Sequence, residues 1–568
     1  MTDPDIGKEN VSAGGGRHAG RHIIRAGILI MVAHGCMKLV SPVQYMLVGQ
    51  LCDEVTRDLF VFGYEGLLLM LFFIGEEALG PAFLPVFMNE KEKENGEKKA
   101  WDFGNTILTI QFILITLVVG TVAIVPESVV KLLTAWEESD KAPVYMEMAP
   151  VYARYMVLGL FGLSLGSTTY MLLNAYKRFF LAALGDALFK GGIVVALALA
   201  WALNFQVDGK QAVVVFVVGA VLGSLLKLGS HLAGLGRKVK FFRPRCNWRN
   251  PALRKFGLLV APLIAGILFA KLRDTYNNIL VLSVLEEGVM SATAFGRKIY
   301  QTLSFLGPYA VSIAMLPFFC EMVTRKEKDR LGAMVTTGSR LTLLMCSPLA
   351  IVFVALSLPV TQVLFQGGHY GFDSAVQAAT ANACYTLVLP FAALECIFMQ
   401  TYFADRRMLL VTVIGIIFSA LTIGISYLFV VHLGWRGLWA VAAVSLGFTL
   451  SKIAKVVTLG GVLKRFVPCF PPKETAVFGA KVLVVTLLTG MVAYGTYLAY
   501  IQVVPVPEVA ERLVVLRKVA PSLVISGVAA AAVCAGSAFL LCRDDVGLIV
   551  EWGRAKLRNW TPTSPDGE

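Results

Sequence analysis

The sequence is poor in charge: Asp, Glu, Lys and Arg make up only 16% of its 568 residues, against 57% hydrophobic ones. Soluble domains carry about a quarter of their residues as charges, so a globule surrounded by water is excluded. Catalytic signatures are lacking too. No GxSxG, HExxH, Walker loop or Rossmann fingerprint stands in a fitting context, and the six histidines do not cluster. The ten cysteines show no CxxC or metal-ligand spacing. Cys36, Cys320, Cys346, Cys384, Cys396 and Cys534 fall inside apolar runs, where they read as small packing residues. The sequence thus points away from an enzyme, and no cofactor or metal is evident. The tail 1–20 is polar and the first apolar run is long, unlike a cleaved signal peptide.

Long apolar runs are abundant, and mean hydropathy is +0.70. Runs of about 20 residues, enough to cross roughly 30 Å of hydrocarbon, fall near 24–48, 59–87, 105–126, 149–173, 180–204, 212–235, 256–283, 293–319, 340–364, 379–403, 408–431, 437–460, 476–501 and 522–542. Runs this long and continuous must be helices, so an all-α polytopic membrane protein with about 14 transmembrane helices is expected. Loops and tails on one side, with Arg25 at the edge of the first run, hold 31 Lys and Arg, and the opposite loops hold eight. That bias places both termini in the cytoplasm. It also accounts for the net charge of +13, and because the cations are scattered over short loops, no nucleic acid is implied.

The two halves echo each other. Ala82-Phe83-Leu84-Pro85-Val86-Phe87 precedes a charged run, as does Ala314-Met315-Leu316-Pro317-Phe318-Phe319, 232 residues on. Leu173-Asn174-Ala175-Tyr176-Lys177-Arg178-Phe179 is answered by Thr401-Tyr402-Phe403-Ala404-Asp405-Arg406-Arg407, with Arg178 and Arg407 229 apart. Such internal repeats are the architecture of secondary transporters. The expected organisation is a cytoplasmic tail (1–22), an N-lobe of six helices (23–235), a linker (236–255), a C-lobe of six helices (256–462), two further helices (463–542) and a cytoplasmic tail (543–568). The linker carries eight cations and no acid, which suits the anionic inner leaflet. Val503 to Pro521 reads as a short interfacial helix, and Gly547 to Trp560 as an amphipathic one.

Charges inside apolar runs are costly and usually face a cavity or a partner. Lys38 and Gln44 lie in the first run, and Glu65, Glu76 and Glu77 in the second. Lys271, Arg273, Asp274 and Asn277 lie in the seventh, Arg297 and Lys298 in the eighth, and Glu395 in the tenth. Convergence of Lys38, Lys271, Arg273 and Arg297 would give a basic interior for an anionic or phosphate-bearing substrate. Arg273 and Asp274 also read as a local neutralised pair, and Lys298 as snorkelling to an interface.

Several stretches resemble the MurJ (MviN) lipid II flippase family. Gly75-Glu76-Glu77-Ala78-Leu79-Gly80-Pro81-Ala82-Phe83-Leu84-Pro85 is similar to its second-helix motif AEGAFSQAFVP, and Leu173 to Phe179 to its LNTWNRF stretch. Leu364-Phe365-Gln366-Gly367-Gly368-His369-Tyr370 resembles its LFQ-G-F signature. Ala261-Pro262 and Asn277 fit its seventh helix, and Tyr402-Phe403-Ala404 the end of its tenth. The resemblance implies the MOP exporter fold, with two six-helix lobes around a central cavity and two C-terminal helices forming a groove for a lipid tail. It implies a cargo, a polyprenyl-diphosphate-linked peptidoglycan precursor moved from the inner to the outer leaflet of a bacterial plasma membrane. It also implies that cavity arginines hold the diphosphate, the eighth-helix one matching Arg297, and that the aspartate after the first helix matches Asp58. With the charges read above, the candidate substrate set is Arg297, Lys38, Arg273, Lys271, Gln44 and Asn277, with Asp58, Glu76, Glu77, Asp274 and Glu65 as structural or gating residues. Anionic lipids and cell-wall synthesis proteins are the expected partners of a monomer.

The chain departs from the family pattern where it matters. Of the first-helix pattern SR-x-x-G-x-x-RD, only Lys38 could replace an arginine, and Val43 and Gln44 stand where Arg and Asp belong. Met70 and Leu71 replace the second helix's double arginine. These losses keep open a flippase for another lipid-linked oligosaccharide, a MATE-like exporter and a non-transporting membrane scaffold.

Overall fold

The computed structural model describes residues 40–72, 80–138, 142–205, 207–306, 319, 321–405, 407–505 and 511–547. Among these residues the chain is helical throughout, without strands. Among the described residues nine helices are long and apolar enough to cross a membrane, or up to eleven if each of two bent pairs is one span. The expected runs 24–48, 59–87 and 293–319 extend beyond the described residues. In the bent pair Phe372–Thr386 and Leu389–Ala404 the break falls just before Pro390, where a helix cannot keep its hydrogen bonds.

In chain order the helices are α1 (40–51), α2 (Glu54–Phe60), α3 (Gly80–Lys91), α4 (Gly96–Ile124), α5 (Pro126–Leu133), α6 (Ala142–Met156), α7 (Gly159–Ala175), α8 (Phe179–Ala202) and α9 (Gly209–Leu235). The second half contains α10 (Pro251–Thr275), α11 (Val289–Leu306), α12 (Lys328–Ala355), α13 (Ser357–Phe365), α14 (Phe372–Thr386), α15 (Leu389–Ala404), α16 (Met408–Ser426) and α17 (Gly437–Leu463). Last come α18 (Pro472–Val503) and α19 (Arg512–Leu541). The first half, or N-lobe, is built on α9 packing against α7 and α8, with α3 and α4 alongside. In the second half, or C-lobe, α14 packs against α11 and α17, and α15 against α12 and α17. Helices α18 and α19 pair with each other and dock on α12 and α13.

The repeat is visible in the fold. Asn95 after α3 and Lys326 before α12 both turn the chain with left-handed backbone, φ 55° and 61°. Phe87 and Phe319, 232 residues apart, are each fully buried in the hydrophobic cluster of their own half.

Two helices change winding where the halves meet. Helix α2 starts under an Asp53 cap and passes into a π-helical stretch, Val61–Leu69. Helix α10 starts at an Asn250 cap and passes into another, Tyr276–Leu280. The wider winding re-aims side chains and recurs at functional sites. The two stretches touch at Gly66, where an added Cβ would lie 2.8 Å from the Ile279 side chain.

The linker is strapped to α4. Asn105 Nδ2 donates to Phe241 O at 2.9 Å, and Asp102 Oδ2 accepts from Asn247 and Asn250 at 3.0 and 3.1 Å. Arg243, Arg245 and Arg249 remain exposed. The expected interfacial helix at Val503 to Pro521 is corrected: from Arg512 the chain is already in α19, with Pro521 inside it. The tail from 548 onward, with most of the expected amphipathic helix, lies outside the described residues.

Candidate functional site

These two π-helical stretches and α11 line a partly open cavity of about 160 Å³ between the halves. Helix α2 and its π stretch contribute Glu65, Gly66, Leu69 and Met70, and the α10 side contributes Lys271, Asp274, Thr275, Asn278 and Ile279. Helix α11 adds Arg297, Lys298 and Gln301. The volume is about five waters' worth at ~30 Å³ each. A site for a drug-sized ligand takes about 300–1,000 Å³, more than the space between these side chains.

Glu65 holds them. Its Oε2 is ion-paired with Arg297 Nη2, and its Oε1 accepts from the Tyr45 hydroxyl of α1. Lys298 Nζ lies 3.6 Å from the same Oε1 and 4.6 Å from the centroid of the Tyr45 ring. All three charged side chains are at most 14% exposed. The cavity wall therefore has three cations, Lys271, Arg297 and Lys298, against two carboxylates, Glu65 and Asp274.

The structure sorts the candidates named from sequence. Arg297, Lys271, Glu65 and Asp274 meet at the cavity. Arg273 sits one layer behind, its Nε and Nη2 donating to Asp274 Oδ1 at 2.9 and 2.7 Å and its guanidinium 5.4 Å from the Phe448 ring. Gln44 and Asn277 are buried, and the wall takes Asn278 in place of Asn277. Lys38, Glu76 and Glu77 lie outside the described residues. The snorkelling expected of Lys298 is corrected, because its ammonium turns inward to Glu65.

Asp58 belongs to a different place, a seam at the α1–α2 turn. There its Oδ2 accepts from Gly288 N at 2.9 Å and from the Tyr145 hydroxyl at 3.1 Å, and its Oδ1 accepts from Ser291 N at 2.8 Å. An N-lobe carboxylate thus caps the start of the C-lobe helix α11, satisfying N–H groups that a helix leaves open. Arg57, which reads in the sequence as a loop charge, is fully buried beside it. It donates to His369 O at 2.9 Å and Ser374 Oγ at 3.3 Å, and lies over the Tyr370 ring at 4.7 Å. Burial pushes the Tyr370 hydroxyl up, so it stays protonated and donates to Ser374 O at 3.1 Å. Gly368, at φ +59°, leaves room for Gln50 O only 2.2 Å from where a Cβ would stand.

Each half also pairs lysine on its last helix with a carboxylate, Lys227 buried and Lys452 and Lys455 half-buried. In the N-lobe Lys227 Nζ meets Asp186 Oδ1 at 2.6 Å. In the C-lobe Lys452 and Lys455 meet the two oxygens of Glu395 at 2.6 and 2.7 Å. At the repeat offset of 229 residues the acid has changed helix: Glu395 answers Gly166, and Gly415 answers Asp186. Sequence reading singled out Glu395 but not its lysines or the Lys227–Asp186 pair. Their position inside apolar runs was the available signal.

This arrangement, a pair of repeats closing on a charged junction, has relatives. The family model "Lipid II flippase MurJ" matches residues 50–507. The chain belongs to that family. The probable lipid II flippase MurJ of Borreliella burgdorferi is 24% identical over 383 residues, covering 67% of this chain and 72% of that one. A solved lipid II flippase MurJ in an inward closed conformation superposes with TM-score 0.70 at 17% identity, over 91% of this chain and all of that one. An inward-facing multidrug resistance MATE family transporter of the MOP superfamily follows at TM-score 0.58 and 15% identity, over 77% and 97% of the two chains. These two structures establish the MOP fold. The MurJ family consists of multi-pass membrane flippases, transporters and not enzymes.

Proposed function

We propose that the chain moves a polyprenyl-diphosphate-linked peptidoglycan precursor from the inner to the outer leaflet of a bacterial plasma membrane by alternating access. The observation that carries this is the cationic wall of Arg297, Lys298 and Lys271 at the junction of the repeats, where arginine's planar fork suits a phosphate. Arg273 and Asp274 steady that wall from behind. With both termini cytoplasmic, the Asp58 and Arg57 seam closes the outer face. The headgroup then enters from the cytoplasm once the halves part, since about 160 Å³ cannot hold a disaccharide. Helices α18 and α19 give the lipid tail a path outside the cavity, and the basic linker rides on anionic headgroups. The first-lobe arginines that the family pattern leads one to expect are supplied here by second-lobe cations.

The test is complementation in a bacterial host depleted of its own lipid II flippase. The wild-type chain is expected to restore growth, and Arg297→Ala to fail at equal membrane abundance. Equal rescue by both would contradict the assignment of the site.

A further inference from the structure

Glu65 is a carboxylate set among the cations of the cavity. It stands on the N-lobe side of the cavity, and its carboxylate is gripped by Arg297 and Lys298 of α11 and by Tyr45 of α1. As a structural device this is a poor choice, because a buried ion pair loses in desolvation much of what it gains in attraction. As an occupant it fits well. The carboxylate takes the donors a phosphate oxygen would take, and Arg297 Nε still has no partner among the described residues. Without Glu65 the wall would hold three cations against one carboxylate, a balance suited to a doubly charged anion.

We infer that Glu65 is a built-in competitor for the substrate's diphosphate, occupying Arg297 and Lys298 in the closed state and released when the diphosphate takes its place. The inference rests on the cationic cavity proposed above and adds how cargo is coupled to motion. Displacing Glu65 breaks the ion-pair contact between the Val61–Leu69 stretch and α11, so an anion that binds here also frees the halves to separate. By linkage, whatever holds the halves together must weaken anion binding by the same factor. A neutral or singly charged ligand engages the donors too weakly to expel the carboxylate, so opening is reserved for a polyanion.

The test uses the full chain in lipid nanodiscs, inorganic diphosphate as the probe, and titration calorimetry. Glu65→Gln, nearly the same shape without the charge, is expected to bind diphosphate about tenfold more tightly than the wild type. Arg297→Ala is expected to lose binding. Unchanged or weaker binding in Glu65→Gln together with loss in Arg297→Ala overturns the competitor role and leaves the cationic site standing. Full binding in Arg297→Ala overturns the site and this inference with it. Should Glu65→Gln not purify as a folded protein, Glu65→Asp draws the carboxylate back by one methylene. A gain of about threefold is then expected, and no gain overturns the inference.

Discussion

Glu395 shows what a single buried charge does here. It neutralises Lys452 and Lys455, which lie one turn apart on α17. Glu395→Ala strands two ammonium groups, and removing one partner of a buried pair costs about 3–5 kcal/mol. The expected result is a sharp loss of membrane abundance and melting temperature, partly recovered by adding Lys452→Met. Asp58 works through hydrogen bonds. Its two oxygens accept two backbone N–H groups and a tyrosine hydroxyl, and charge-assisted bonds contribute about 1.5–3 kcal/mol each. Asp58→Asn is expected to loosen the seam, read as faster labelling of a cysteine placed at Ser291. Unchanged labelling would show that the seam does not depend on the charge. At this scale the sequence was partly legible. Arg297, Lys271 and Glu65 were found because a charge in an apolar run must face something. Arg57 was not, because its partners His369 and Ser374 lie more than 300 residues away in sequence. The readable Lys452 and Lys455 gave no hint of which carboxylate they meet.

At the scale of elements, hydropathy locates the helices but says nothing of their winding. The π-helical stretches Val61–Leu69 and Tyr276–Leu280 have no sequence signature comparable to an apolar run. Yet they decide that Asn278 and not Asn277 faces the cavity. Likewise Val503 to Pro521 reads as a separate helix because its charges break the apolar pattern, while the backbone simply continues α19 from Arg512. The contact of the two π stretches is itself testable. Gly66→Ala places a Cβ 2.8 Å from Ile279, and overpacking of this kind costs about 1–3 kcal/mol. The melting temperature is expected to fall with Gly66→Ala and to fall less than the sum of the single effects when Ile279→Ala is added, which removes both the Cδ1 and the Cγ1 that lie 2.8 Å away. Losses that simply add would place the strain elsewhere.

At the scale of the whole molecule, the repeat was legible from Pro85 and Pro317, Arg178 and Arg407, and it predicted two similar halves. What it could not predict is how the halves differ. The acid that pairs the last helix's lysine sits on α8 in one and on α15 in the other, and the cavity cations come from the second. In the proposed transport cycle these halves rock apart to pass a lipid-linked diphosphate. The most direct test is translocation of a fluorescent polyprenyl-diphosphate-linked precursor in proteoliposomes, with the seam locked by a disulfide. His369 N donates to Gln50 O at 3.1 Å, so Gln50→Cys with His369→Cys places the two thiols across the seam and keeps the backbone His369 O that Arg57 donates to. The account predicts transport by the reduced double variant, arrest on oxidation and recovery on reduction. Undiminished transport with the disulfide formed would contradict it.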